Sequence, residues 1–89
     1  MPVRRYVVHG RVQGVGFRAF VWREATELKL AGWVRNNPDG TVELLVEAPE
    51  RAQAELEGKL GEGPRWAAVT RVDIEDEPGA ALGPGFTIG

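Results

Sequence analysis

At 89 residues and 9.7 kDa, with 43% hydrophobic and 27% charged residues, the chain is sized for one domain and too apolar to remain disordered. It has no cysteine, no serine and a single histidine, His9, which excludes disulfides, thiolate metal sites, cysteine or serine nucleophiles and a multi-histidine metal centre. The net charge of -2 is unevenly spread, with Arg4, Arg5, Arg11, Arg18 and Arg23 preceding all 13 acids, so a small anionic ligand fits the basic end better than a nucleic-acid track does.

Residues 3–9, VRRYVVH, are β-branched and aromatic and predict a strand. A glycine-rich stretch from Gly10 to Gly16 follows. From Phe17 the apolar residues Phe17, Val21, Ala25 and Leu28 recur at helical spacing and form one stripe. Gly32 precedes a second strand, Trp33 to Asn36. Asn37-Pro38-Asp39-Gly40 then predicts a hairpin turn, in which Pro presets one φ and Gly supplies a left-handed residue. Thr41 to Glu47 alternates, Leu45 excepted, as a half-buried strand. Pro49 suits a first helical position, and behind it Ala52, Leu56 and Leu60 mark a helix ended by Gly61 and Gly63. A long strand over 68–77 puts Val72 and Ile74 on one face. Phe86 and Ile88 add a short edge strand, and the glycine-rich 78–85 stretch carries no pattern.

This order is βαββαβ, an α+β class. It predicts one domain over 1–89, a ferredoxin-like sandwich with one antiparallel sheet and two helices on one face. The crossover helix makes the first two strands run the same way, so their C-terminal ends share one edge. The glycine-rich loop with Arg18 sits at one of those ends and Asn36 at the other.

GRVQGVGFR at 10–18 is the most informative stretch. Gly10, Gly14 and Gly16 allow tight turns that aim successive N–H groups inward, and such a nest at a helix N-terminus binds oxyanions. Arg18 adds a planar fork for two phosphoryl oxygens, although a cation in a first helical turn disfavours the helix. A plain tight connection with Arg18 solvated is the competing reading. Gly14-x-Gly16-x-x-Ala19 also matches a dinucleotide-binding fingerprint, but the hairpin after the second strand leaves no larger parallel unit. An RNA-binding reading of the same aromatics fails because they fall on a helix, not on a strand facing bases.

GRVQGVGFR, followed by GWVRNNPDGTVE at 32–43, resembles the acylphosphatase family, and Gly63-Pro64, Ala67, Val69 and Phe86-x-Ile88 fit as well. The resemblance spans almost the whole chain. It implies a small ferredoxin-like hydrolase that cleaves carboxyl-phosphate anhydrides, needs no metal or cofactor and releases inorganic phosphate. It assigns the catalytic arginine to Arg18 and the catalytic asparagine to Asn36. The phosphate cradle falls on Gln13, Gly14, Val15, Gly16 and Phe17, joined by Arg18. One departure is Leu28-Lys29-Leu30, where the family usually has Leu-Gly-Leu, so a left-handed helix stop would carry lysine.

The implied chemistry suits what the chain lacks. A carboxylate leaving group has a conjugate acid of pKa about 4 and needs no general acid. Loop N–H groups and Arg18 would hold the phosphoryl group and neutralise its charge, and Asn36, donor and acceptor at once, would aim a water in line. On residues alone, Asn36 could equally cap the turn at Asn37. His9 reads as a packed strand residue, Asp39 as a turn residue, and Trp22, Trp33 and Trp66 as packing groups. The alternative function is a non-catalytic module of the same fold that binds phosphate or carbamoyl phosphate; retaining both Arg18 and Asn36 favours turnover. With no apolar run near the roughly 20 residues of a membrane span and no signal-peptide core, a cytoplasmic monomer is expected, with no nucleic-acid or membrane partner.

Overall fold

In a computed structural model describing residues 1–89, the elements run β1 (Val3–Arg11), α1 (Phe17–Glu27), β2 (Ala31–Asn36), β3 (Val42–Glu47), α2 (Glu50–Glu62), β4 (Ala68–Asp76) and β5 (Phe86–Ile88). The sheet order is β4-β1-β3-β2-β5. Four strands are antiparallel to their neighbours, and β5 adds to β2 in parallel, through Gly32, Trp33 and Val34 against Phe86, Thr87 and Ile88. Because β3 lies antiparallel between β1 and β2, those two strands run the same way and end on one edge.

The apolar stripe of α1 buries Phe17, Val21 and Ala25, and that of α2 buries Leu56 and Leu60. Both meet Tyr6, Val8, Val34, Leu44 and Val46 of the sheet in one core. At that core's polar end the Tyr6 hydroxyl lies 2.6 Å from Gln53 Oε1 and 2.8 Å from a Glu57 carboxylate oxygen. Burial first, and the Glu57 contact second, push the Tyr6 phenol well above its usual range. Gln53 is itself fully buried and donates to the carbonyls of Val46 and Pro2 at 3.0 and 3.1 Å. No helix is long and apolar enough to cross a membrane.

Several boundaries differ from the sequence reading for identifiable reasons. β1 continues through Gly10 to Arg11, across a register shift between His9 and Gly10 in its pairing with β4. Gly10 has φ +122°, and a Cβ there would fall 2.1 Å from the Ala68 carbonyl oxygen, so only glycine permits this approach. Gly32 lies inside β2 for the same reason: a Cβ would meet the Leu45 carbonyl oxygen at 2.0 Å. Pro49 caps α2 instead of opening it, and Gly61 lies within the helix, which ends at Gly63.

β3 is not half-buried but covered on both faces. Glu43 is only 5% exposed, held on the face away from the helices by Arg5 and, at 3.0 Å, by Arg35. Burial pushes the Glu43 carboxyl up, but the hydrogen bonds of Arg35 and Asn37 and the neighbouring guanidinium charges outweigh it and hold it below the usual carboxylate range.

Candidate active site

A glycine-dependent connection brings the site together. β1 ends at Arg11, and the chain turns through Gly14 (φ 73°) and Gly16 (φ 79°), both left-handed, into α1. Gly16 is the N-cap, so no cap side chain bonds to the first turn, which also lacks an acidic residue. The first amides of a helix have no partner within it. Here the turn and loop hydrogen bonds use no amide between Gln13 and Ala19; the first begins at Phe20, donating to Gly16 O at 3.0 Å. Unpaired N–H groups at the positive end of a helix dipole suit an anionic ligand.

Arg18 stands in that first turn, and β2 delivers Asn36 from the neighbouring end of the sheet. Both line one cleft of about 200 Å³, with Val12, Gly14, Gly16, Phe17, Ala19 and Ile88. The larger cleft, about 440 Å³ and mostly apolar, lies at the other end of the sheet, against Leu28, Leu30 and Ala52. It contains none of the residues singled out as chemically competent. Arg18 donates to the carbonyl oxygen of Gly89, so its guanidinium already grips an oxygen at the cleft.

Each residue expected in the cradle is in the turn, but not all in the same manner. Gly14, Gly16, Phe17 and Arg18 line the cleft. Phe17 is buried, with its ring 5.9 Å from that of Phe20, and Val15 packs partly against the core, so both offer only their amides. The Gln13 side chain is spent elsewhere, on the carbonyls of Asn37 and Thr41 at 2.7 and 2.9 Å.

The hairpin that follows Asn36 is stiff. Asp39 Oδ1 accepts from the Thr41 hydroxyl at 2.6 Å and from its amide at 3.0 Å, and Asn37 Nδ2 donates to Thr41 Oγ1 at 3.0 Å. The Thr41 hydroxyl, then its amide, hold the Asp39 carboxyl below its usual range. His9 points to the open sheet face, with Nε2 2.9 Å from Asp73 Oδ2, and lowers the Asp73 carboxyl. It takes no part in the cleft. Trp22 is surface-exposed and donates through Nε1 to Phe86 O at 3.1 Å. No cluster of three or more His, Cys, Asp or Glu could hold a metal ion.

Sequence reasoning missed the contribution of β5. Its parallel pairing with β2 carries Ile88 and Gly89 alongside Val34 and so to the cleft wall. The only available signal was the alternation of Phe86 and Ile88, which predicts a strand but not its partner.

The profile of the acylphosphatase family matches residues 4–88. An acylphosphatase of Nitratidesulfovibrio vulgaris is 51% identical over 78 residues, covering 88% of this chain and 78% of that protein. The crystal structure of acylphosphatase from Bacillus subtilis superposes with a TM-score of 0.96 at 42% identity, covering 100% of this chain and 99% of the other. Full-length HypF, in a phosphate- and nucleotide-bound form, matches 99% of this chain with only 12% of its own, at a TM-score of 0.90 and 27% identity.

Proposed function

The chain belongs to the acylphosphatase family, hydrolases acting on acid anhydrides, and we propose that Arg18, Asn36 and the 13–18 loop carry out this hydrolysis on small acyl phosphates without a metal. The observation that carries the reading is the cleft shared by Arg18 and Asn36 below unpaired amides at an uncapped helix start.

The phosphoryl group lies in the loop, its oxygens taking the free N–H groups and the Arg18 fork in place of the Gly89 carbonyl. Asn36, at the end of β2, holds a water behind phosphorus. The water oxygen bonds to phosphorus as the bond to the carboxylate oxygen breaks, and the carboxylate departs with that electron pair. Asn36 is too weak a base to keep a proton, so the water's proton passes to a phosphoryl oxygen, and the products are carboxylate and inorganic phosphate. The loop's fixed dipoles and Arg18 meet charge that grows on those oxygens, where preorganised donors contribute most.

The test is benzoyl phosphate beside p-nitrophenyl phosphate, with and without excess chelator. Hydrolysis of the acyl phosphate, unchanged by chelator, with the phosphate ester slower, is expected, because a phenolate is a more basic leaving group than a carboxylate and the cleft offers no acid to protonate it. Loss of activity in chelator and its return with a divalent ion would contradict the reading. The match to one-eighth of HypF keeps a second reading open, a phosphate-binding module without turnover; retention of Asn36 argues against it, since binding needs only the loop and Arg18.

A further inference from the structure

The carboxamide of Gln13 has no role in the chemistry above, yet it is the one side chain that joins the anion loop to the hairpin. Its Nε2 donates to Asn37 O at 2.7 Å and to Thr41 O at 2.9 Å. These carbonyls already close the turn: Thr41 O accepts from Asn37 N–H at 2.8 Å, and Asn37 O from Gly40 N–H at 3.1 Å. A carbonyl oxygen has two lone pairs and an amide nitrogen two hydrogens, so Gln13 fills the second acceptor site at both ends of the turn. The loop beside it holds left-handed backbone at Gly14 and Gly16, which carry no side chains to brace it. The turn is rigid, braced by Asn37, Asp39 and Thr41. Asn36 immediately precedes it.

We propose that Gln13 is a positioning residue, a clamp that fixes the loop and Arg18 at a set separation from Asn36. The proposal rests on the hydrolase reading above. In-line attack requires the water on one wall and phosphorus on the other to be placed within a fraction of an ångström. Phosphate binding requires only the loop amides and Arg18. Releasing the clamp therefore costs turnover and largely spares phosphate affinity.

The experiment compares wild type, Gln13→Ala and Gln13→Glu, using benzoyl phosphate as substrate and inorganic phosphate as inhibitor. Gln13→Ala is expected to lower kcat by roughly 10- to 100-fold while the phosphate inhibition constant moves by less than about 3-fold. In Gln13→Glu the ionised side chain faces two carbonyl oxygens with nothing to donate, whereas the protonated one keeps a hydroxyl donor. Its kcat should fall with rising pH through a carboxyl titration displaced upward by those oxygens, a limb that wild type lacks. Wild-type kcat in folded Gln13→Ala, equal losses in kcat and phosphate affinity, or a Gln13→Glu pH profile parallel to wild type would each overturn the clamp.

A phosphate titration followed by amide NMR reads the clamp without turnover. Phosphate at the loop should shift the amides of Asn37, Asp39, Gly40 and Thr41 in wild type and leave them still in Gln13→Ala; equal shifts in both would overturn the proposal. Wild type that binds phosphate but fails to cleave benzoyl phosphate would overturn the hydrolase reading, and the NMR comparison would still decide the clamp.

Discussion

Lys29 is the one non-glycine residue with positive φ, 59°, and it stands just beyond α1. The helix ends in a Schellman turn: Leu30 N–H reaches Ala25 O at 2.9 Å and Lys29 N–H reaches Thr26 O at 3.1 Å. Lys29→Gly removes a Cβ from a conformation that costs an L-residue roughly 1–2 kcal/mol. Glycine's extra freedom in the unfolded chain takes back about 0.5–1 kcal/mol. Losing a cation at the helix C-terminus costs about 0.3 kcal/mol more. Lys29→Ala loses the same charge but keeps the Cβ, so comparing the two variants isolates the backbone effect at roughly 0.8 kcal/mol. At about 2.1 cal/mol/K per residue, the unfolding entropy of this chain is roughly 0.19 kcal/mol/K, which makes that difference about 4 °C in Tm. Thermal melts by circular dichroism measure it. Lys29→Gly melting at or below Lys29→Ala would refute the reasoning. Turnover should not change, because Lys29 lies at the start of β2 and the cleft at its end.

Gly10→Ala would drive a Cβ to 2.1 Å from the Ala68 carbonyl at a φ of +122°. It should destabilise the fold by about 3 kcal/mol or more, seen as a lower urea midpoint. Acid should weaken the fold as well. Glu43, Asp39 and Asp73 all have lowered folded-state pKa values, so the stability they contribute is complete above the ordinary carboxylate range, about pH 4, and is lost as pH falls through the folded values. The urea midpoint at pH 3 should lie below that at pH 7, and Glu43→Gln should remove part of the difference.

The legible parts of this protein were those written in local periodicity and glycine placement. The stripes of Phe17, Val21 and Ala25 and of Leu56 and Leu60 identified both helices, and Asn37-Pro38-Asp39-Gly40 identified the hairpin. Arg18 and Asn36 were legible as a pair because strand direction, set by the crossover, puts their ends on one edge. Burial on both faces of β3 was not legible. Glu43 reads as a solvent-facing residue until Arg5, 38 positions earlier, and Arg35 pair with it across strands. Gln13 was expected in the phosphate cradle because of its position in the motif; that its side chain also crosses to main-chain carbonyls was not legible, because those carbonyls carry no sequence signature. Gly89 at Arg18 was hidden for a similar reason: the parallel pairing of β5 depends on which strand edge is free.

The division of labour between Arg18 and Asn36 is tested most directly by measuring phosphate affinity by calorimetry beside acyl phosphate hydrolysis in folded Asn36→Ala, with Arg18→Ala and Arg18→Lys as references. In the proposed mechanism Arg18 touches the phosphoryl group before and during reaction, so Arg18→Ala should lose both affinity and turnover, and Arg18→Lys, without the planar fork, almost as much. In the same proposal Asn36 meets only the water. Asn36→Ala should therefore lose on the order of 10²-fold or more in kcat while binding inorganic phosphate as wild type does. Hydrolysis by folded Asn36→Ala at the wild-type rate would contradict the account.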